Sequence, residues 1–375
     1  MYRILQVCGG LRQGGAETMI MNVYRAIDRK KIQFDFLVYN DETTFFTNEI
    51  KKLGGRVIVL DRKHKWNIIR YNNEFQEIIK TYGPYKAVHV HTNSHSGLPL
   101  WISKRASIPI RVCHSHSTLQ QLHESISRKI YRFIMKHMIL ENATVLAACG
   151  KQAGIALYGE NCFLRKGVII PNAVDINLYL QNYSVEINEL RKQLHLDDEC
   201  MIIGSVASFK DVKNHAFMLT IASRLKTLKI NFVMIFVGDG ILRNNIQKEA
   251  SSLGLTKNII FLGVRQDIPL LMQLFDVLLM PSLYEGFPVT LVESQAAGLP
   301  AVISDKIPNE VDLHLNLIGK HSLDSDVDEW VHAIIYAANK LADVSAVVRK
   351  SVITKRKLDI HDSVRIFYKI YGITQ

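Results

Sequence analysis

The sequence predicts an α/β protein built from two doubly wound parallel-sheet domains. Short runs rich in β-branched residues alternate with longer amphipathic stretches, which is typical of βαβ units. This alternation runs through the first half of the chain and begins again in the second half. The length of 375 residues fits two domains, each large enough to bury a core of its own.

Seven apolar runs are predicted strands of the first domain: Arg3–Cys8, Phe34–Tyr39, Arg56–Leu60, Ala87–His91, Ile110–Ser115, Thr144–Cys149 and Gly167–Asn172. Amphipathic stretches such as Glu17–Ile27 and Asn72–Tyr82 are predicted helices between them. Five runs are predicted strands of the second domain: Met201–Ser208, Asn231–Gly240, Asn258–Gly263, Asp276–Pro281 and Pro300–Ser304. Ligands of such sheets bind beyond the carboxyl ends of the strands.

A polar, poorly periodic stretch follows Asp175 and runs to about Asp198, and it predicts the linker between the domains. We therefore assign residues 1–175 to the first domain and residues 176–359 to the second. The last stretch, residues 360–375, predicts an amphipathic helix.

Composition excludes several classes of protein. A hydrophobic content of 48% and a charged content of 22% are those of an ordinary globular chain. We expect no transmembrane helix, because no run of 18 apolar residues occurs, and the short apolar start predicts a first strand rather than a signal peptide. The five cysteines are scattered without CxxC or zinc spacing, which favours a reduced, cytosolic compartment.

The net charge of +11 lies entirely in the first half of the chain. Residues 1–175 hold 25 Lys and Arg against 13 Asp and Glu, whereas the remainder is nearly neutral. This asymmetry predicts that the first domain meets an anionic surface or ligand. No nucleic-acid-binding motif is present, so we expect no nucleic acid as a partner.

Glycines follow the first predicted strand in the stretch Gly9–Glu17. They would let the backbone approach an anion at the start of the next helix, with Gly14 and Gly15 closest to a phosphate. The spacing is not GxGxxG, so no dehydrogenase fingerprint is predicted, and a purely structural turn is an alternative.

Histidines cluster after two neighbouring predicted strands: His89, His91 and His95 follow one, and His114 and His116 follow the other. The HxH spacing leaves a metal site open as an alternative, although no third ligand type is fixed by spacing. His116 lies at the loop end of its strand, where we expect it to donate a hydrogen bond to a substrate hydroxyl. A purely structural role is an alternative, as is the same donation from His114, two residues away on the same face.

Lysines follow the first predicted strand of the second domain. Lys210 and Lys213 lie on the loop before a helix that starts near Asn214. They are either solvated surface residues or cations that neutralise a phosphate, and the strand-end position favours the phosphate role for Lys213.

Two glutamates, Glu285 and Glu293, lie eight positions apart in an otherwise apolar run. A turn at Gly286 precedes a helix with Pro288 predicted as its first residue. The unpaired amides of such a helix form an anion site, and they belong to Val289, Thr290 and Leu291. A carboxylate separation of about 10 Å is too wide for a shared-proton or glycosidase pair. It suits hydroxyl-rich groups on either side of a diphosphate.

These residues together resemble a known family. The motif from Glu285 to Glu293 with the following Ala297-Gly298-Leu299-Pro300 resembles the E-x7-E motif of the retaining glycosyltransferases of family four. The amino-terminal glycine stretch, the HSH at His114–His116, and the runs IIPNAVD, VGDG and FLGVRQDI resemble the same family in the same order. The closest branch contains bacterial exopolysaccharide and capsule transferases.

The resemblance implies a GT-B fold of two Rossmann-like domains, with the carboxy-terminal helix packed on the first. It implies that Glu293 holds the ribose, that Glu285 holds the hydroxyls of the donor sugar, and that Lys213 neutralises the diphosphate. His116 would contact the sugar, and Gly15 would let the first-domain loop approach the phosphates. The remaining implied contacts are made largely by backbone atoms, near the sugar and phosphates at Gly286, Phe287 and Pro288 and near the base at Val264 and Arg265. No metal and no separate cofactor are expected.

One position departs from the family. The family has an arginine five residues before Lys213, where this chain has Ser208. The missing guanidinium removes a bidentate phosphate contact, and Lys210 would have to compensate for it.

We therefore expect a cytoplasmic, retaining hexosyltransferase that is peripheral on the inner face of the plasma membrane. It would transfer a sugar from a nucleoside diphosphate, most simply UDP, to a lipid-linked saccharide. The basic first domain would face anionic lipid. The segment Ser127–His137 is either the contact segment or an ordinary solvated helix face. Two alternatives stay open: a catalytically silent partner of an active transferase, and a UDP-sugar 2-epimerase of the same fold.

Overall fold

A computed structural model describes residues 1–11, 14–39, 45–60, 67–117, 125–340 and 344–374. The chain forms two compact units. Unit 1 contains Met1–Ala173 together with Ile360–Gln375, and unit 2 contains Val174–Asp359. The predicted boundary after residue 175 lies two residues further along the chain.

The sheet of unit 1 has seven parallel strands in its described part, in the order β3-β2-β1-β4-β5-β6-β7. The strands are β1 (Tyr2–Val7), β2 (Ile32–Val38), β3 (Arg56–Val59), β4 (Ala87–Val90), β5 (Ile110–Ser115), β6 (Val145–Ala148) and β7 (Gly167–Ile169). The strand order changes direction between β1 and β4. A doubly wound sheet binds ligands at such a switch point.

The helices of unit 1 are α1 (Gly15–Ala26), α2 (Thr47–Lys52), α3 (Ile68–Tyr82), α4 (Gly97–Arg105), α5 (Ile126–Asn142), α6 (Lys151–Tyr158) and α7 (Glu160–Lys166), and the last helix of the chain (Ile360–Ile370) belongs here too. A 3-10 turn, Asn93–Ser96, follows β4. The last helix is amphipathic, with its apolar residues on one face. Its Phe367 packs 6.3 Å from the ring of Phe34 on β2, and the Tyr368 hydroxyl accepts a hydrogen bond from the Asp28 amide.

The sheet of unit 2 has six parallel strands in its described part, in the order β10-β9-β8-β11-β12-β13. The strands are β8 (Met201–Val206), β9 (Phe232–Val237), β10 (Ile259–Gly263), β11 (Val277–Met280), β12 (Ala301–Ser304) and β13 (Ile318–His321). Here the order changes direction between β8 and β11, so the loops after these two strands meet at the switch point.

The helices of unit 2 are α8 (Ile176–Leu180), α9 (Ser184–Gln193), α10 (His215–Thr227), α11 (Arg243–Ser252), α12 (Ile268–Leu274), α13 (Val289–Ala297), α14 (Val327–Asn339) and α15 (Ala346–Lys355), which makes the final helix of unit 1 α16. Helix α13 buries Leu291, Val292 and Ala296 in the core of the unit. None of the described helices combines the length and the apolar character needed to cross a bilayer.

One sequence prediction about unit 2 is wrong, and one strand was missed. The supposed linker after residue 175 contains α8 and α9, and β13 was not predicted. Helix α9 buries only Leu190, so its sequence lacks the apolar stripe that identifies a helix. Strand β13 is only four residues long and partly buried throughout, which leaves too short a pattern to recognise.

Candidate active site

The candidate site lies at the switch point of unit 2, where the loops after β8 and β11 are joined. The side-chain amide of Asn214 donates to the carbonyl oxygen of Pro281 at 3.1 Å. The amide of Leu283 donates to the carbonyl oxygen of Val212 at 2.8 Å. Asn214 has a left-handed conformation, φ 56° and ψ 45°, and caps α10. These contacts fix the two loops against each other and so bring Lys213 and Glu285 together.

Lys213 and Glu285 form an ion pair in this joined region. The Lys213 Nζ lies 2.5 Å from Glu285 Oε1, and the Ser282 hydroxyl donates to the same oxygen at 2.8 Å. The two side chains are only 19% and 11% exposed, respectively. A buried ion pair needs such additional hydrogen bonds to offset desolvation. The pair offers a cation for an anionic group and a carboxylate for hydroxyl groups.

The start of α13 lies just beyond this pair. Pro288 has extended backbone angles and precedes the helix, so the prediction that it is the first helical residue is wrong. The amide of Leu291 donates to the carbonyl oxygen of Pro288 at 3.1 Å. The expectation that this amide is unpaired is therefore also wrong, because a tight 3-10 bond closes the first turn. The amides of Val289 and Thr290 are the first two of the helix and have no intrahelical acceptor.

Residues around this helix start leave room for a ligand. A Cβ built on Gly286 would meet no atom within 4 Å. Phe287 packs against the core of unit 2 and thereby fixes the backbone before the helix. The space beside Gly286 lets a ligand approach the peptide chain closely.

Glu293 is the fifth residue of α13, about a turn and a half from the start of the helix. It is partly buried, and its carboxyl group is hydrogen-bonded with Tyr179 on α8. Burial raises the pKa of Glu293 to about 7, while the hydrogen bond with Tyr179 opposes this shift. Because this pKa lies near neutral pH, a ligand that donates hydrogen bonds to the Glu293 carboxylate would favour the charged form of the group.

The residues expected near a nucleotide base follow β10. Gly263 has φ 67°, a left-handed conformation that suits glycine. Val264 is partly buried. Arg265 makes a bidentate ion pair with Asp267, with contacts of 2.8 and 2.5 Å. Its guanidinium is thus engaged within its own loop.

Sequence reasoning missed Arg243, at the start of α11. Its guanidinium lies 3.8 Å from the position of a Cβ on Gly263 and 3.8 Å from Asp239 Oδ1. Its Nε is buried and has no hydrogen-bond partner among the described residues. The VGDG run could have pointed to this residue, because Arg243 is the first residue of the helix that follows the run.

Ser208 and Lys210 lie on the loop after β8. The carbonyl oxygen of Ser208 accepts a hydrogen bond from the Lys210 amide at 2.9 Å, and the Lys210 side chain is exposed. This loop packs closely on the VGDG run, because a Cβ on Gly238 would lie 2.1 Å from the carbonyl oxygen of Ala207. Lys210 is therefore a solvent-exposed cation, whereas Lys213 is held by its ion pair with Glu285.

In unit 1, Gly14 directly precedes α1 and Gly15 is its first residue. Gly14 caps the helix with an extended backbone, φ −141°. Neither glycine has a positive φ, so neither is required by a left-handed turn. A Cβ on Gly15 would meet no atom within 4 Å, whereas one on Gly14 would lie 2.6 Å from Glu17 Oε2. The first turn of α1 thus has open space at Gly15.

The histidines on and directly after β4 and β5 form a buried network. His91 Nδ1 lies 2.8 Å from His116 Nε2, and His91 Nε2 lies 2.8 Å from Gln6 Oε1. His89 Nε2 lies 3.2 Å from His114 Nδ1. The network leaves two buried ring nitrogens without partners among the described residues, His114 Nε2 and His116 Nδ1.

The hydrogen bonds of this network determine whether His116 Nδ1 is a donor or an acceptor. A carbonyl oxygen only accepts, so His91 Nε2 must donate to Gln6 Oε1. Burial lowers the pKa of His91 well below its usual value, so its ring is neutral and its Nδ1 accepts from His116 Nε2. Burial likewise lowers the pKa of His116 to about 3. With these donors His116 Nδ1 is an acceptor. The expected donation from this side chain to a substrate hydroxyl requires the opposite tautomer and stays a prediction.

The same histidines are the residues that could hold a metal. Nitrogen atoms of His89, His91 and His114 lie within 4.8 Å of one another. The rings of His89 and His91, however, are stacked with centroids 4.3 Å apart and planes 25° apart. Imidazole lone pairs lie in the ring plane, so stacked rings do not direct them at one point. The arrangement favours hydrogen bonding over chelation.

We expect this network to make unit 1 sensitive to acid. Burial, aided by neighbouring imidazoles, lowers the pKa values of His89, His91 and His114. Unfolded histidines bind protons below about pH 6.5 that the folded ones do not, so the free energy of unfolding falls with pH below this point. The slope is about 1.4 kcal/mol per pH unit for each neutral histidine.

Hydrogen exchange of the β5 amides at pH 7.5, 6.5 and 5.5, corrected for intrinsic rates, measures this loss locally. His114→Asn should reduce the slope, whereas His137→Asn, at a ring 69% exposed on α5, should leave it unchanged. Equal opening free energies at pH 7.5 and 5.5 would contradict the neutral network.

Comparisons with known proteins agree with this architecture. Residues 13–178 match the model of Glycosyltransferase Family 4, and residues 186–340 match that of Glycosyl transferases group 1. A Bacillus subtilis (strain 168) protein described as a glycosyltransferase, EpsF, is 40% identical over 337 residues, which is 90% of this chain and 88% of EpsF.

More distant relatives extend the comparison. An Escherichia coli UDP-Gal:alpha-D-GlcNAc-diphosphoundecaprenol alpha-1,3-galactosyltransferase is 27% identical over 67% of this chain and 66% of its own. The structure of Anabaena HepE in complex with UDP and glucose aligns over 99% of this chain and 100% of HepE, with a TM-score of 0.80 and 18% identity. The chain therefore belongs to the glycosyltransferases of group 1 and family 4 and has their two-domain GT-B fold.

Proposed function

We propose that the protein is a retaining, metal-independent hexosyltransferase. It transfers the sugar of a UDP-sugar to a hydroxyl of a lipid-linked saccharide during exopolysaccharide or capsule synthesis. The observation that carries the proposal is the convergence of Lys213, Glu285 and the start of α13 at one switch point. HepE, a structural neighbour, has been solved with UDP and glucose and with UDP-glucose.

Each group at the switch point has a role in donor binding. Lys213 and the amides of Val289 and Thr290 supply positive charge to the diphosphate. Glu285 accepts hydrogen bonds from hydroxyls of the sugar, and Glu293 accepts them from the ribose diol. The base contacts backbone atoms near Val264, because the Arg265 side chain is engaged by Asp267.

The proposed reaction uses no protein nucleophile. Glu285 is already engaged by Lys213 and Ser282, which makes it a poor nucleophile. The bond between the sugar C1 and the β-phosphate oxygen breaks as the acceptor oxygen bonds to C1 on the same face. The acceptor proton passes to the departing β-phosphate. UDP leaves, and the configuration at C1 is retained.

The role of a metal is taken by protein groups in this proposal. A positioned cation and helix amides stabilise negative charge that develops on the leaving diphosphate. Ser208 supplies no guanidinium, so we propose that Lys210 contributes the second cation, with Arg243 beside Gly263 as a further source of positive potential. Activity in the presence of EDTA is therefore expected.

The proposed acceptor and membrane contact involve α5. Its side chains Ile126, Ile130 and Phe133 follow i, i+4, i+7 spacing and are 78%, 56% and 75% exposed. Basic residues occupy the adjacent arc at i, i+3, i+7, namely Lys129, Arg132 and Lys136. An exposed apolar stripe beside a basic one suits the surface of an anionic membrane. The name of one relative includes alpha-D-GlcNAc-diphosphoundecaprenol, which is a lipid-linked saccharide.

Transfer from radiolabelled UDP-sugars to lipid-linked saccharides extracted from membranes, in EDTA, tests the proposal. We expect transfer from at least one UDP-sugar, with the product anomer matching the donor by NMR. Absence of turnover with all donors would favour a silent partner, for which the missing arginine at Ser208 is the motivating feature. A free epimer formed without acceptor would favour a 2-epimerase.

A further inference from the structure

The buried histidine network of unit 1 has a single residue at its branch point. The side chain of Gln6, on β1, is fully buried. Its Oε1 faces His91 Nε2 at 2.8 Å, and its Nε2 donates to the Tyr371 hydroxyl at 3.2 Å. We propose that Gln6 is a positioning residue that selects the tautomer of His116, an inference that rests on the proposed glycosyl transfer and on the contact of His116 with the sugar that the family resemblance implies.

The first arm runs from Gln6 through His91 to His116. Because the amide oxygen accepts, His91 carries its proton on Nε2, and its bare Nδ1 accepts from His116 Nε2 at 2.8 Å. A neutral imidazole has one protonated nitrogen. His116 Nδ1 is therefore left with a lone pair and no partner among the described residues.

The second arm runs from Gln6 through Tyr371 to His89 and His114. The Tyr371 hydroxyl accepts from the Gln6 amide at 3.2 Å. Its other polar neighbour among the described residues is His89 Nδ1 at 2.7 Å, so we assign its proton to this contact. His89 Nε2 then donates to His114 Nδ1 at 3.2 Å. The arm ends in a protonated His114 Nε2, which is buried without a partner among the described residues.

Both arms depend on the orientation of one amide. If the oxygen and nitrogen of Gln6 exchanged places, every donor in the two arms would become an acceptor. His116 Nδ1 would then donate and His114 Nε2 would accept. The orientation of the Gln6 amide thus determines whether His116 Nδ1 donates or accepts, although His91 lies between the two residues. Stacking of His114 on His116, with centroids 4.1 Å apart, restrains the ring orientation.

The test is 15N NMR of histidine-labelled full-length protein at pH 7.5, since 15N shifts distinguish protonated from bare ring nitrogens. Wild type should show His116 protonated on Nε2 and His114 protonated on Nε2. Gln6→Met removes both arms and should convert both residues to mixtures of tautomers. Tyr371→Phe removes only the second arm and should leave His116 unchanged while His114 becomes mixed.

Turnover provides a second readout. We expect Gln6→Met to lower kcat/KM about tenfold or more, and Tyr371→Phe to change it by less than about threefold. UDP affinity, a property of unit 2 residues, should be unaffected in both variants, and retained exchange protection of the β5 amides reports that unit 1 is folded. The proposal is overturned if His116 carries its proton on Nδ1 in wild type, or keeps a single Nε2–H tautomer in Gln6→Met. These NMR outcomes do not require turnover, so failure of the proposed function would be seen separately.

Discussion

Replacing Lys213 by alanine is expected to lower kcat/KM by about 100- to 1000-fold, the loss typical of removing one preorganised group that stabilises a developing negative charge. The ion pair with Glu285 holds the Lys213 ammonium in place before any ligand binds. The loss should also destabilise unit 2, by about 1–3 kcal/mol, since among the described residues it leaves the Glu285 carboxylate with the Ser282 hydroxyl as its one side-chain hydrogen-bond donor.

A double variant separates the catalytic from the structural effect. Lys213→Met with Glu285→Gln leaves no unpaired charge, so stability should recover while turnover does not. Lys257→Ala, at an exposed lysine of the same unit, is the matched charge control and should behave as wild type. Lys210→Ala should lower kcat/KM about tenfold, as expected of a flexible second cation. Recovery of turnover together with stability in the double variant would exclude the proposed role of Lys213.

Replacing Glu293 by glutamine is expected to have opposite effects on stability and on nucleotide binding. The pKa of this carboxyl rises from an unfolded value near 4.5 to about 7. Between these values the folded state keeps a proton that the unfolded state releases. The free energy of unfolding therefore falls as pH rises through this range, by about 3 kcal/mol in total. Glutamine stays neutral, so at pH 8 the variant should be more stable than wild type by up to this amount.

The same change should weaken UDP binding about 100-fold, because the neutral amide replaces a carboxylate acceptor for the ribose diol. Wild-type affinity for UDP should rise as pH passes through 7, and this rise should vanish in the variant. Urea unfolding at pH 5 and 8, read from hydrogen exchange of the β11 and β12 amides, and UDP titration at the same pH values measure both effects. Glu249→Gln, exposed on α11, is the control. A variant less stable than wild type at pH 8 would contradict the account.

The sequence indicated which residues meet but not how they are bonded. The strand ends of Met201–Val206 and Val277–Met280 were recognisable from their apolar runs, so Lys213 and Glu285 were expected at one edge of a sheet. Their direct ion pair joins residues 72 positions apart, which no local pattern reveals. The closed first turn at Leu291 and the engagement of Arg265 by Asp267 are likewise details of backbone and rotamer geometry.

The Gln6 branch point was beyond sequence reasoning for a related reason. Gln6 occupies an apolar run that reads as an ordinary buried strand, and Tyr371 reads as part of an amphipathic helix. The hydrogen bond between them spans 365 positions. The histidines themselves were visible as HxH pairs, but their tautomers follow only from the partners that the fold supplies.

The measurement that tests the central claim most directly is calorimetric titration of UDP, GDP and ADP into the purified protein at pH 8 in EDTA. The account predicts saturable binding of UDP that is strongly weakened in Glu293→Gln and Lys213→Ala but not in Lys257→Ala. Failure of every nucleotide to bind without metal, or equal UDP binding by wild type and both site variants, would contradict a donor site at this switch point.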